Sequence, residues 1–135
     1  QYEKLADELG IYDKCRFIGW AAGEKKDEAF QNCSIFCLPS KNEGMPMSVL
    51  EAMSYGLATI ATPVGGVPQI INDGVDGFLF PVDDVTALTE KLDVLMSDNA
   101  LKERIGKCGR ACIEKSFSLD AYMDQIDTIY EIIRK

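Results

Sequence analysis

The sequence predicts an α/β domain built on a parallel, doubly wound sheet. Three observations lead there. Short apolar runs of strand length recur, and turn residues and then a helix-like segment follow them. One run, Ser34–Leu38 (S-I-F-C-L), is continuously apolar, as in a strand buried on both faces. Strands separated by helices imply βαβ units, and right-handed crossovers put helices on both faces of the sheet.

The elements follow in order. Tyr2–Leu9 has helical character and stops at Gly10, a good helix-end residue. Cys15–Ile18 (C-R-F-I) is a short strand before Gly19. Glu24–Asn32 is a charged, exposed helix with Ala29 and Phe30 facing inward. Ser34–Leu38 is the second strand. Pro46–Tyr55 is a helix with proline in its first turn and Gly56 after its end. Leu57–Ala61 is the third strand, broken by Thr62-Pro63. Gly66-Val67-Pro68 opens a short helix that ends near Asn72-Asp73-Gly74, and Gly77–Phe80 is a strand stopped by Pro81.

The last third is helical. Asp83 or Asp84 caps a helix carrying Val85, Leu88, Leu92 and Leu95 on one face. Asp98 caps the next. Ser118 caps the last, whose stripe Leu119, Tyr122, Ile126, Ile129 and Ile133 advances by threes and fours. Part of that stripe is expected to pack on this domain and its end to be mobile. Four strand candidates are fewer than the roughly five or six of a doubly wound sheet. The expectation is one partial domain over 1–135, with a helical third at 84–135, from a longer chain.

Composition narrows the function. The chain has 135 residues, 47% apolar and 27% charged, as in a globular domain. No apolar run reaches the length of a membrane span, and Gln1–Leu9 does not read as a secretion signal. Twenty-two acids against fourteen bases give a net charge of −8, which argues against nucleic acid as a partner. Five cysteines with no histidine point to free thiols in a reducing compartment. Cys33 with Cys37 and Cys108 with Cys112 read C-x-x-x-C, yet that is not the usual zinc spacing. Leu101, Ile105, Cys108 and Cys112 instead form one apolar helical stripe, so packing is the favoured role of the last two. The missing histidine excludes His-based triads and two-His metal motifs from these residues.

The chemistry lies between residues 38 and 68. A loop follows a buried strand there and runs into a helix, whose N-terminus offers unpaired N–H groups to an anion. Glu43 stands in the loop and Glu51 lies inside the helix. A carboxylate beside an anion site repels the anion, so its work there is to accept from hydroxyls. Hydroxyls joined to phosphate mean a sugar phosphate or a nucleotide. The plainer readings are an acid favoured by the helix dipole for Glu43 and a solvated helix position for Glu51. Gly65-Gly66-Val67-Pro68 reads as a tight turn, more readily than as a second backbone anion site. Trp20 is read as core or interface packing ahead of stacking on a base.

The run P-S-K-N-E-G-M-P-M-S-V-L-E-A-M-S-Y-G, with V-G-G-V-P and D-G-V-D-G-F-L after it, resembles the signature of family 4 retaining glycosyltransferases. The likeness is to their C-terminal donor-binding domain, a Rossmann-like half of the two-domain GT-B fold. It covers residues from about 15 to the C-terminus. Glu43 and Glu51, with seven residues between them, match the family's paired-glutamate motif. The resemblance implies that Glu43 is the catalytic-site carboxylate that accepts from donor-sugar hydroxyls. It places the backbone of Gly44, Met45, Pro46 and Met47 against the sugar and diphosphate, and gives Glu51 the ribose hydroxyls. Arg16, Phe17, Ile18 and Gly19 then border the nucleobase. Many members have Gly-Phe-Gly where this chain has Gly44-Met45-Pro46, and Pro46 lacks one N–H for a phosphate.

The implied reaction moves a sugar from a nucleotide diphosphate to an acceptor hydroxyl with retention of configuration. The favoured picture is front-face attack, with no enzyme nucleophile, no metal and no other cofactor. The acceptor, a glycan or lipid-linked hydroxyl, belongs to an N-terminal domain outside these residues. The basic pair that clamps the diphosphate, an Arg and a Lys, is implied earlier in the same donor-binding domain, also outside these residues. That implies a cytoplasmic enzyme of polysaccharide biosynthesis that can visit a membrane surface. Between Lys41 and Lys91 there is no lysine or arginine, so the chain alone is expected to bind donor poorly and not to catalyse. Two alternatives stay open: a sugar-nucleotide epimerase on the same scaffold, and a flavodoxin-like interaction domain. A receiver domain needs acids at strand ends, where this chain has Pro39-Ser40 and Thr62-Pro63.

Overall fold

The computed structural model describes residues 1–134, so Lys135, the last residue of the expected helical third, lies outside the described residues. Helix α1 (Tyr2–Glu8) and a 3-10 turn (Tyr12–Lys14) lead to α2 (Glu24–Gln31) and strand β1 (Ile35–Leu38). Then follow α3 (Met47–Ser54), β2 (Ala58–Ala61), α4 (Val67–Ile70) and β3 (Phe78–Leu79). Helices α5 (Val85–Ser97), α6 (Asn99–Ser116) and α7 (Leu119–Ile133) complete the chain. The strands are parallel in the order β1-β2-β3, with Leu38 opposite Ala61 and Ala61 opposite Leu79. Parallel pairing puts the loops after all three strands along one edge, which includes the loop expected to hold the site.

Alternation along each strand builds two cores. On one face Phe36, Leu38, Ala61 and Leu79 meet Val49 and Met53 of α3, Val67 and Ile70 of α4, and Ile113 of α6. On the other, Ile35, Cys37, Ala58, Ile60 and Phe78 meet Leu88, Leu92 and Leu95 of α5 and Ile105 of α6. Helices therefore cover both faces, as the doubly wound reading requires. Each fully buried aliphatic side chain contributes roughly 1.5–3 kcal/mol over an exposed one. Helix α6 reaches both cores because Gly106 lets it lie directly on the turn after α3. A Cβ at Gly106 would stand 2.1 Å from the Gly56 carbonyl oxygen. The caps fall where side-chain chemistry places them. Asp84, Asp98 and Ser118 accept from Ala87, Leu101 and Ala121, opening α5, α6 and α7.

Four expectations are corrected. Cys15–Ile18 is irregular backbone, because among the described residues no strand bonds to it. Strand β1 is half-buried along its length because it is a sheet edge, whereas every residue of central β2 is buried. Pro46 precedes α3 as its N-cap in extended conformation, φ −75 and ψ 102, since proline's lost N–H is least harmful there. Trp20 is 91% exposed, so it is no core residue.

The thiols differ in access. Cys15 and Cys33 are exposed, while Cys37, Cys108 and Cys112 are half-buried. Burial pushes the Cys37 thiol above its ordinary pKa, and burial followed by the nearby Asp76 carboxylate does the same to Cys112. A raised pKa lowers the reactive thiolate fraction at neutral pH. Labelling the native chain with iodoacetamide, followed by peptide mapping, is expected to modify Cys15 and Cys33 at least about ten times faster than Cys37 or Cys112.

Helix α7 packs little on the rest of the chain. It buries no residue, and of its stripe only Ile126 is half-buried, while Leu119, Tyr122, Ile129 and Ile133 are exposed. Exposed backbone bonds with little packing open at low free energy. Hydrogen exchange of the isolated chain is expected to be at least about a hundredfold faster in residues 129–133 than in β2, since β2 opens only with the core. Equal protection would contradict this packing.

Candidate functional site

The loop from Pro39 to Pro46 leaves the end of β1 and turns back into α3. Two features of the next loop fix it. Buried Thr62 donates its hydroxyl to the Ser40 carbonyl, and its N–H to the Leu38 carbonyl at 3.2 Å. The Gly66 N–H donates to the Gly44 carbonyl at 2.6 Å. Gly65 has φ +55, and a Cβ there would lie 2.0 Å from the Glu43 carbonyl oxygen. The glycine pair is thus a turn that supports the glutamate loop. The Gly66 N–H, engaged by Gly44, is not free for an anion.

Above that support the loop is open. Glu43 is half-buried, and its Oε1 accepts the Ser40 hydroxyl at 2.6 Å. Its Oε2 has no partner among the described residues. A Cβ on Gly44 would meet nothing within 4 Å, so a ligand can approach the backbone there. No side chain caps α3, and the N–H groups of Met47 and Ser48 find no acceptor among the described residues. Helix α3 therefore presents free N–H donors and a positive dipole end of roughly half a charge beside a carboxylate. Such a pairing suits a ligand with both phosphate and hydroxyl groups. Met45 and Met47 are largely exposed on the same loop.

Glu51 lies in the second turn of α3, and it is not simply solvated. Its Oε1 accepts from Lys26 Nζ of α2 at 2.6 Å, and both side chains are about a third exposed. The bond to Glu51 raises the Lys26 pKa, burial works against that, and the charges of Glu51 and Asp27 add to it. Two further contacts dock α2 on α3. The Tyr55 hydroxyl donates to Asp27 at 2.8 Å, and the Phe30 and Tyr55 rings stack with centroids 5.3 Å apart. The adjacent Lys25 donates to the Ile18 carbonyl at 2.6 Å. The first turn of α2 is thus tied to both Glu51 and the Arg16–Gly19 segment.

The structure does not bring every expected residue to the glutamates. Phe17 packs on Tyr12, with centroids 5.8 Å apart. Arg16 and Ile18 line a groove of about 260 Å³ against Lys25, Ala29 and Cys33, which contains neither Glu43 nor Glu51. Lys41 bonds Asp83 in the loop after β3 at 2.7 Å, although both side chains are well exposed. Its charge is shared before any ligand arrives, through a pair that contributes little to stability. Asp83 takes φ +62, a backbone conformation that aspartate tolerates better than most residues. Sequence reasoning missed Ser40, Thr62 and Lys26. Ser40 stands three residues before Glu43, a spacing at which serine can bond locally. Nothing in the sequence pairs Lys26 with a residue twenty-five positions away.

Comparison with known proteins decides the family. Residues 1–111 match the family described as "Glycosyl transferases group 1". The chain belongs to the group 1 glycosyltransferases. It is 39% identical over 102 residues to the sulfoquinovosyl transferase of Arabidopsis thaliana, covering 73% of this chain and 20% of that protein. It is 31% identical over 130 residues to the N-acetyl-alpha-D-glucosaminyl L-malate synthase of Bacillus anthracis, covering 94% of this chain and 33% of that one. This glycosyltransferase chain therefore spans only a fifth to a third of those relatives. Its fold is that of HepE from Anabaena, solved in complex with UDP, with a TM-score of 0.87 and 21% identity over 96% of this chain and 35% of that one. The structural neighbours are GT-B glycosyltransferases, and this chain covers 33% and 35% of two of them, within one half of that architecture.

Proposed function

We propose that residues 1–135 are the donor-binding half of a retaining glycosyltransferase that uses a nucleotide-diphosphate sugar. The observation that carries this is the open, uncapped start of α3, with Glu43 just before it and Glu51 within it. Glu43 Oε2 accepts from donor-sugar hydroxyls while Ser40 steadies Oε1. The backbone of Gly44, Met45, Pro46 and Met47 lies along the sugar and diphosphate. Glu51 accepts from the ribose hydroxyls, and Arg16, Phe17, Ile18 and Gly19 border the base. HepE, with the same fold, was solved with UDP, which supports a ribonucleoside diphosphate as the common part of the donor.

In the reaction an acceptor hydroxyl oxygen attacks the anomeric carbon. The bond from that carbon to the diphosphate oxygen breaks, and its electron pair leaves with the diphosphate. The hydroxyl proton passes to the departing diphosphate oxygen. This chain's residues hold the sugar in place and stabilise charge on the leaving group through the N–H donors of α3. A further domain binds the acceptor, a glycan or lipid-linked hydroxyl, and an Arg and a Lys of the donor domain outside these residues supply the basic clamp. The full-length protein is to be incubated with a panel of UDP-, GDP- and ADP-sugars labelled in the sugar. Acceptor-dependent transfer or slow release of the sugar from one donor supports the proposal, and inertness towards all of them with acceptor-rich membranes present contradicts it.

A further inference from the structure

We propose that Lys26 is a positioning residue for Glu51, holding one carboxylate oxygen so that the other faces the ribose hydroxyls. The inference rests on the reading of Glu51 as the ribose acceptor and adds a residue to that site. Lys26 Nζ engages Oε1 at 2.6 Å, and Oε2 has no partner among the described residues. A glutamate on an exposed helix face samples several rotamers, so a ribose must order it on binding. With Oε1 tied to a neighbouring helix, that ordering is already done. The base of Lys26 is itself fixed, because α2 docks on α3 through Tyr55–Asp27 and the Phe30–Tyr55 stack.

Charge gives a second reason. No lysine or arginine occurs between Lys41 and Lys91, and Lys41 is paired with Asp83. Lys26 is the cation that the fold carries in from outside that window to the Glu51 carboxylate. It offsets the negative charge that would otherwise stand beside an incoming diphosphate. The direct bond from Lys26 Nζ to Glu51 keeps that charge beside the carboxylate.

Calorimetry on the full-length protein tests this. UDP, GDP and ADP are titrated first, and the tightest is compared with its 2′-deoxy and 3′-deoxy counterparts. In the wild type, removing the recognised hydroxyl is expected to weaken binding about tenfold or more, the usual size for a hydrogen bond to a charged group. Lys26→Met is expected to weaken the ribonucleotide about tenfold and to shrink the ribo-to-deoxy ratio to below about threefold, because a carboxylate left unordered discriminates poorly. Lys26→Arg, which keeps the charge and a donor, is expected to recover most of both. A mere packing role for Lys26 would weaken both nucleotides equally and leave the ratio unchanged. Both side chains are partly exposed, and thermal melting of Lys26→Met and of Lys26→Gln checks that each folds. If the wild type itself ignores both hydroxyls, the ribose reading of Glu51 fails and the inference with it. If the wild type discriminates and Lys26→Met or Lys26→Gln discriminates as strongly, or binds more tightly, Lys26 alone is excluded.

Discussion

Glu43→Ala in the full-length protein is expected to lower sugar transfer by about a hundredfold or more while barely changing stability. Two hydrogen bonds from sugar hydroxyls to an ionised carboxylate, at roughly 1.5–3 kcal/mol each, account for that size. The small stability effect follows from the contacts. Among the described residues the Glu43 side chain takes a hydrogen bond from Ser40 alone, in the same half-exposed loop, and the loop is held through backbone groups. Melting within about 2 °C of wild type is expected for such a surface change. Glu43→Gln keeps the shape and removes the charge, so its loss is expected to be smaller. Full transfer by Glu43→Ala would remove Glu43 from the site.

Gly65→Ala carries the second large effect, on stability and binding together. At φ +55 a Cβ is strained, by about 1–2 kcal/mol. At 2.0 Å from the Glu43 carbonyl oxygen it also cannot be accommodated without moving the loop. Overpacking of this kind adds roughly 1–3 kcal/mol. Together these predict a melting temperature about 10 °C lower, at the few degrees per kcal/mol of a domain this size. Gly74→Ala separates the two causes, since Gly74 has φ +76 and open space around a Cβ. It is expected to show the strain alone. A Gly65→Ala protein that melts with Gly74→Ala and keeps its nucleotide affinity would show that the turn does not support Glu43.

The fold was legible where residue type forces geometry. The short run Leu57–Ala61, closed by Thr62-Pro63, marked the buried β2, and Asp84, Asp98 and Ser118 announced three helix starts. What stayed hidden depends on neighbours distant in sequence. Cys15–Ile18 has a strand's composition, yet a strand exists only where another bonds to it. Ser34–Leu38 reads as doubly covered, but its place at the sheet edge leaves it half-buried. An apolar stripe in α7 says that a face seeks cover, and it does not say what covers it. The site divides in the same way. Glu43, Glu51 and the glycine pair could be read from one continuous stretch of sequence. The lysine that holds Glu51 could not, because α2 meets α3 only after the chain has folded.

The central claim is that the start of α3 and its two glutamates receive a nucleotide-diphosphate sugar. Titrating the full-length protein with the nucleoside diphosphates, wild type beside Glu51→Ala, tests it most directly. The account predicts micromolar binding of one of them and a loss of about ten- to a hundredfold in Glu51→Ala, as for a charged hydrogen bond to ribose. Equal affinity of the two proteins would contradict it.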